Sequence, residues 1–145
     1  MSVTPCLAPI NDWALLFRLG LAALCGAIVG LEREVKHKPA GLRTNILVSF
    51  GTALFVLVPI QIGAAQHNSD VLGRAITGIV SGVGFIGGGT ILRNPRIRGL
   101  TSAATIWISA ALGIAVGCGL WFMGLVGAIA TWLILNVLKK VESYF

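Results

Sequence analysis

The chain has 145 residues, of which 56% are hydrophobic and 11% are charged, whereas soluble domains carry about 25% charged residues. This composition excludes a soluble enzyme, a soluble DNA-binding domain and a disordered tail, because too few polar residues are available to cover the apolar ones. The net charge of +6 does not indicate nucleic-acid binding, since the basic residues lie between apolar segments and are not interleaved with aromatic ones.

The sequence predicts five transmembrane helices. The predicted fold class is therefore an all-α membrane protein with one transmembrane domain over residues 1–145. An uncharged apolar run of about 18 or more residues is long enough to cross a bilayer. Residues 99–138 form one such run, which as a single helix would be about twice as long as the hydrocarbon core is thick. We therefore divide it near Cys118. The predicted spans are residues 13–31, 44–65, 75–92, 100–117 and 120–138.

Basic residues alternate between the two sides of the predicted bundle. Nine of the eleven Lys and Arg residues lie in the loops after spans one and three or after span five. Cytoplasmic loops carry the excess of Lys and Arg, so we expect the N-terminus outside and the C-terminus in the cytoplasm. The segment before Trp13 has no Lys or Arg, unlike a cleavable signal peptide, and span one is expected to be retained. Asp70 and Arg74 are spaced for an ion pair on a helix.

Nineteen glycines predict close helix packing, because small residues let helix backbones approach each other in a membrane. Pairs four residues apart occur in spans one, three and four, which we expect to be tightly packed neighbours, with span two more peripheral. Hydroxyl residues continue the pattern on span four, either as packing groups or as a polar pathway. The pairs are Gly26/Gly30, Gly78/Gly82, Gly84/Gly88 and Gly113/Gly117, and the residues that continue them are Thr101, Thr105 and Ser109.

A spacing of 58 residues relates four glycines of the first hairpin to four glycines of the second. This pattern suggests a parallel duplication of a two-helix hairpin, with span five as an addition. Coincidence in a glycine-rich chain is the alternative. The related positions are Gly20 and Gly78, Gly26 and Gly84, Gly30 and Gly88, and Gly41 and Gly99.

The end of span one and the start of span two hold the most informative charged segment. It is either a positive-inside loop with local ion pairs, or a site in which Glu32 and Arg43 form a buried pair, because charges near membrane depth usually have a partner or a function. Glu32 is also the one weak candidate for a Mg²⁺ ligand, since this ion prefers carboxylate oxygens. Glu34 points to another side of a helix than Glu32, so the two make a poor chelate.

Two further segments lie at the end of span three and in the loop that leads into span four. The glycines from Gly84 to Gly89 lack the Lys and Ser/Thr of a phosphate loop and indicate a hinge, a broken helix or close backbone packing. The basic loop ending at Arg98 leads into a helix N-terminus, which favours a phosphate or an anionic lipid or serves topology alone. No catalytic residue, cofactor or confident metal site is predicted. The candidate functional residues are Glu32, Arg33, Arg43, Thr44, Gly84, Gly88, Arg98, Thr101, Thr105 and Trp107, and we expect Glu32, Arg43 and Thr101 to converge.

Three segments in this order resemble the MgtC/SapB family of bacterial membrane proteins: GLEREVKHKPAGLRTNILVSFG, GVGFIGGGTILR and GLTSAATIWISAALGIAVGCG. The resemblance covers residues 19–119. It implies a multi-pass protein of the bacterial inner membrane, associated with adaptation to low magnesium and, in pathogens, with survival inside host cells. Some members are linked to regulating other membrane machinery, including ATP synthase. Longer members add a soluble C-terminal domain, so the end of this chain at Phe145 is expected to mark the short, SapB-like form.

We therefore expect a non-enzymatic protein of magnesium-stress adaptation that acts on or with another membrane protein complex. Its predicted partners are the lipid bilayer and a second copy, in a homodimer formed through glycine-rich faces. The alternative function is a transporter or channel for Mg²⁺ or another ion. Such a protein would use the polar faces of spans three and four, with Glu32 as the cytoplasmic carboxylate.

Overall fold

A computed structural model describes residues 7–93 and 95–142; residues 1–6 and Phe145, on which the sequence expectations also drew, lie outside this range. Five helices are long and apolar enough to cross a membrane, which confirms the all-helical five-span fold. They are α1 (Asp12–Val35), α2 (Leu42–Gln61), α4 (Asp70–Gly89), α5 (Leu100–Gly117) and α6 (Trp121–Glu142). Between them lie the short helix α3 (Ala64–His67) and two paired antiparallel strands, β1 (Leu92–Arg93) and β2 (Ile97–Arg98).

The helix ends differ from the predicted span ends because hydropathy marks the apolar core and not the hydrogen-bonded helix. Helix α1 begins where the Asn11 side chain accepts a hydrogen bond of 2.8 Å from the Ala14 N–H. It continues to Val35, so Glu32, Arg33 and Glu34 are helical. Helix α2 ends earlier than predicted, at Gln61, because Gly63 adopts a positive φ of 75° and turns the chain into α3.

The division of the long uncharged run near Cys118 is confirmed. Helix α5 ends in a Schellman motif, in which the Leu120 N–H donates to the Ala115 carbonyl and Gly119 takes a positive φ of 87°, as such caps require. The next free carbonyl, that of Gly117, accepts a hydrogen bond of 2.9 Å from Arg18 Nη1. Arg18 therefore places a cation at the negative end of α5, where the helix dipole favours it.

Helix α2 is central in the bundle, and the expectation that span two is peripheral is wrong. It packs against α1, α5 and α4. A Cβ added at Gly26 of α1 would lie 2.5 Å from the Asn45 carbonyl oxygen, and one at Gly30 would lie 2.8 Å from the Leu42 Cα. Gly113 of α5 faces the backbone of α2 in the same way. A glycine leaves room for the backbone of its neighbour, so the helix that receives this contact needs no glycines itself.

Helix α4 does not show the tight glycine packing that was predicted for span three. It packs mainly against α5 and α2, and a Cβ added at any of four of its glycines would meet no atom within 4 Å: Gly78, Gly82, Gly84 and Gly88. Gly41 and Gly99 precede α2 and α5 as N-cap residues, as the 58-residue repeat predicts. The other pairs of the repeat differ in packing, since Gly26 and Gly30 face the backbone of α2 while Gly84 and Gly88 face open space. The duplication therefore stays a prediction.

Two apolar clusters hold the helices together. One joins α1, α2, α5 and α6, and the other joins α2, α4 and α5. The ends of α1, α4 and α6 and the beginnings of α2 and α5 lie at the same end of the bundle, as the side-chain contacts described below require. This end carries the basic loops, and we call it the basic end.

Candidate functional site

An ion cluster of Glu32 and Arg33, both buried, and of the half-buried Lys36 lies at the basic end, where α1 ends. Glu32 and Arg33 expose 6% and 5% of their surfaces. The Lys36 ammonium donates to Glu32 Oε1, and Arg33 Nη1 lies 3.6 Å from Glu32 Oε2. One carboxylate is thus held between two cations, one of them on the following helical turn.

The ion cluster also ties α1 to two other helices. Arg33 Nη2 donates a hydrogen bond of 2.9 Å to Ser102 Oγ in the first turn of α5. Lys36 Nζ donates one of 3.0 Å to Asn136 Oδ1 near the end of α6. Since these bonds involve charged groups, each is stronger than a bond between neutral side chains. The cluster therefore fixes the relative positions of α1, α5 and α6 at the basic end.

The charges of this cluster do not suit a magnesium ligand. Glu32 already faces two cations, so a divalent cation would have to displace one of them or be repelled. In residues 7–93 and 95–142, no three His, Cys, Asp or Glu side chains come together as a metal site would need. Within the same residues Glu32 Oε2 and Arg33 Nε are buried without a hydrogen-bond partner, which makes this cluster costly for the fold.

A row of buried polar side chains, which we call the polar seam, continues from the ion cluster between α2 and α5. Ser109 Oγ donates to Asn45 Oδ1 at 2.7 Å, and Asn45 Nδ2 donates to the Ala40 and Gly41 carbonyls. Further along α2, two hydroxyls donate to carbonyls of the neighbouring helices, at 2.7 Å and 3.0 Å. The seam consists of Asn45, Ser49, Thr52, Ser102, Thr105 and Ser109.

The polar seam holds neighbouring helices together by hydrogen bonds. Its hydroxyls bond to carbonyls of the same or of adjacent helices, as expected for polar groups between membrane helices. A Cβ added at Gly113 would collide with the Ser49 carbonyl oxygen and the Thr52 hydroxyl, so the two helix backbones are in close contact there. Of the two readings that the sequence left open for the hydroxyls of span four, this geometry favours packing over a polar pathway.

Glu34 caps the start of α2 and takes no part in the ion cluster, although it is close to Glu32 in sequence. Its Oε2 accepts a hydrogen bond of 2.9 Å from the Leu42 N–H at the start of α2. A carboxylate at a helix N-terminus is favoured by the helix dipole. The same oxygen fills the space where a side chain on Gly41 would lie, so the tight connection between α1 and α2 depends on both residues.

The structure does not bring Glu32, Arg43 and Thr101 together. Arg43 and Thr101 are exposed, and within the described ranges neither side chain has a hydrogen bond or ion pair. Their sequence neighbours Asn45 and Ser102 are the buried ones. Successive residues of a helix point about 100° apart, so an error of one residue moves a side chain from the core to the surface.

The other candidate residues are scattered. Thr105 is buried and donates to the Ser102 carbonyl of its own helix at 2.8 Å. Thr44 is half-buried, and Arg98, Gly84 and Gly88 are exposed. Trp107 is 54% exposed and lines a shallow cavity between α4, α5 and the start of α6. Thr105 is thus part of the polar seam, whereas Arg98, Gly84, Gly88 and Trp107 lie outside both the seam and the ion cluster.

Sequence reasoning missed five residues that carry the site: Lys36, Asn45, Ser49, Ser102 and Asn136. The spacing of Asn45, Ser49 and Thr52 places all three on one face of a helix, a signal that could have identified the seam on α2. Nothing comparable in the sequence links Lys36 to Asn136, because that contact depends on how α6 packs against α1.

Comparison with known proteins assigns the family. The MgtC family profile matches residues 19–144. The chain is 48% identical to protein SrpB of Synechococcus elongatus, over 92% of this chain and 80% of that protein. It is 45% identical to the putative magnesium transporter YhiD of Escherichia coli K12, over 87% of this chain and 61% of that protein. It is also 45% identical to protein SapB of Bacillus subtilis 168, over 76% of this chain and 50% of that protein.

The chain therefore spans most of SrpB but about half to three-fifths of the other two relatives. No solved structure matches it. The profile match begins in the first third of α1 and extends past α6, so it includes the ion cluster and the polar seam. The expected resemblance is confirmed: the chain is a multi-pass membrane protein that belongs to the MgtC family.

Proposed function

We propose that this chain is a non-enzymatic protein of the bacterial inner membrane that supports growth at low Mg²⁺ by acting on another membrane protein complex. The observation that carries this proposal is the closed polar interior. The buried polar groups of α2 and α5 bond to other helices, and the backbones touch at Gly113. Mg²⁺ sheds its waters reluctantly and needs octahedral oxygen ligands, for which this interface has no room.

The surface available to a partner lies at the basic end. Arg43, Arg98 and Thr101 are exposed there, while the ion cluster behind them holds α1, α5 and α6 in place. Lys and Arg at this end indicate that it faces the cytoplasm. A partner that meets this end would present acidic groups, because rim charges of opposite sign guide association.

The alternative function is transport of Mg²⁺ or another ion, as the name of the Escherichia coli relative suggests. Since α2 and α5 are in backbone contact, a transport route would run elsewhere, for example along α4. Two cavities that border α4 are lined mainly by apolar side chains, which do not replace the hydration shell of an ion.

Two measurements on the same variants separate these functions. In a bacterium that lacks its own copy and grows poorly at low Mg²⁺, the wild-type chain is expected to restore growth. We expect Arg43→Ala combined with Arg98→Ala to lose this rescue at unchanged protein level, because both side chains are exposed and their removal leaves the packing intact. The matched control is Lys38→Ala combined with Lys139→Ala, which removes the same charge at two other exposed positions.

The second measurement is Mg²⁺ flux into proteoliposomes of the pure protein. No saturable flux is expected from the wild type. Saturable flux that Arg43→Ala with Arg98→Ala leaves intact would reject the regulatory function and establish transport. Rescue of growth by the double variant would likewise reject the proposed contact surface.

We further propose that two copies associate through the outward face of α4. Thr77, Ser81, Gly84 and Gly88 lie on this face and are exposed. Glycines four residues apart let membrane helices cross closely. Gly84→Leu combined with Gly88→Leu is expected to convert a dimeric mass in nanodiscs to a monomeric one; a monomeric wild type contradicts the proposal.

A further inference from the structure

An apolar groove runs along the surface between α2 and α4. Its volume is about 460 Å³. Phe55 and Ile86 on its rim are 65% and 48% exposed, so the groove is open to the surroundings of the bundle, which for these spans is the hydrocarbon of the bilayer. The residues that shape it are Thr52, Phe55, Arg74, Gly78, Gly82 and Ile86.

One unpaired cation lies at the mouth of this groove. Arg74 is exposed on the first turns of α4, near the end of the bundle opposite to the basic end. The predicted ion pair with Asp70 is not formed within 4.0 Å, and Arg74 has no hydrogen-bond or ion-pair partner among the described residues. A guanidinium at the edge of the hydrocarbon binds a phosphate group well, because its planar N–H donors match the phosphate oxygens.

The length of the groove fits one leaflet of a membrane. From Arg74 to Ile86 the helix rises about 18 Å, at about 1.5 Å per residue. Half of a hydrocarbon core of about 30 Å is about 15 Å. The floor is smooth, because a Cβ added at Gly78 or Gly82 would meet no atom within 4 Å. An extended hydrocarbon chain can therefore lie against the backbone of α4 while its headgroup reaches Arg74.

We propose that this groove binds one anionic phospholipid, with an acyl chain between α2 and α4 and its phosphate on Arg74. Charge favours this occupant over a second copy of the chain. Copies in one membrane share their orientation, so a symmetric pair would be related by an axis along the membrane normal. A crossing at Gly78 and Gly82 lies about 6 to 12 Å along the helix from Arg74 and would bring two like charges together.

Native mass spectrometry of the purified full chain tests the proposal. The protein is mixed in mild detergent with phosphatidylglycerol or with phosphatidylcholine of the same acyl chains, and the lipids retained per copy are counted. The wild type is expected to retain one phosphatidylglycerol and less phosphatidylcholine. Arg74→Gln should lower the retention of phosphatidylglycerol about tenfold, which corresponds to about 1.4 kcal/mol. Gly78→Leu with Gly82→Leu should fill the groove and reduce retention of both lipids.

Two control variants leave the groove unchanged. Arg98→Gln removes a cation at the basic end, and Gly20→Leu adds a side chain on an exposed position of α1; both should retain phosphatidylglycerol like the wild type. Equal retention of the two lipids by the wild type, or an equal loss in Arg98→Gln, would overturn the proposal. If Gly78→Leu with Gly82→Leu changes the protein from dimer to monomer without loss of lipid, the groove would be assigned to a second copy. If that variant does not fold, the headgroup preference of Arg74→Gln still decides.

Discussion

Two neighbouring acidic residues, Glu32 and Glu34, differ in what they stabilise. Glu32 is buried between Arg33 and Lys36, whereas Glu34 is exposed and caps α2 from outside the core. A buried ion pair adds little net stability, because desolvation offsets the attraction, but removing one partner leaves an uncompensated buried charge. The two carboxylates should therefore respond very differently to the same chemical change.

Glu32→Gln is expected to lower the free energy of unfolding by about 3–5 kcal/mol, the usual effect of breaking a buried ion pair from one side. The substitution leaves the guanidinium of Arg33 buried next to a neutral amide. Glu34→Gln is the matched control and should cost less than about 1 kcal/mol, since the amide oxygen can still accept the Leu42 N–H. Unfolding in mild detergent, followed by circular dichroism, measures both. Equal losses would mean that burial of Glu32 does not govern its contribution.

At the scale of helices, glycines have opposite effects on packing in different parts of this bundle. On α1 and α5 it admits the backbone of α2, while on α4 it leaves the helix surface open. The sequence pattern is the same in both cases, and this explains why the five spans could be predicted from hydropathy but their neighbours could not. Apolar length is a property of one segment, whereas packing depends on which faces meet. Because the sequence does not show which face of α5 meets α1, the predicted site contained the exposed Thr101 instead of the buried Ser102.

Gly113→Ala should destabilise the bundle, because the added methyl group would collide with the Ser49 carbonyl oxygen and the Thr52 hydroxyl. Overpacking of this kind costs about 1–3 kcal/mol, or more where the backbone cannot move. Gly20→Ala makes the same chemical change at an open, exposed position of α1 and should leave stability unchanged or raise it slightly, since alanine is the better helix former. The two variants are compared by their unfolding midpoints in one detergent. A similar loss at both positions would contradict the close contact of α2 and α5.

For the whole molecule, the arrangement of charge agrees with the alternation found in the sequence. The ends of α1 and α6 meet at the basic end through Lys36 and Asn136, and Arg18 lies at the other end beside the turn that leaves α5. Five spans put the two ends of the described chain on opposite sides of the membrane. The placement of Lys36 at the basic end was predictable from charge counting. The contacts that join these groups were not, because they connect residues about 100 positions apart.

The orientation in the membrane can be tested with single cysteines. In a chain whose native Cys residues are replaced by Ala, we expect His67→Cys to react with a membrane-impermeant thiol reagent added to intact spheroplasts. Lys139→Cys should react only after the membrane is opened, because positively charged ends stay in the cytoplasm. Both positions are exposed, so a lack of labelling reflects the side of the membrane and not burial. The reverse pattern would show that the basic end faces outward and would remove the cytoplasmic partner surface from the proposed function.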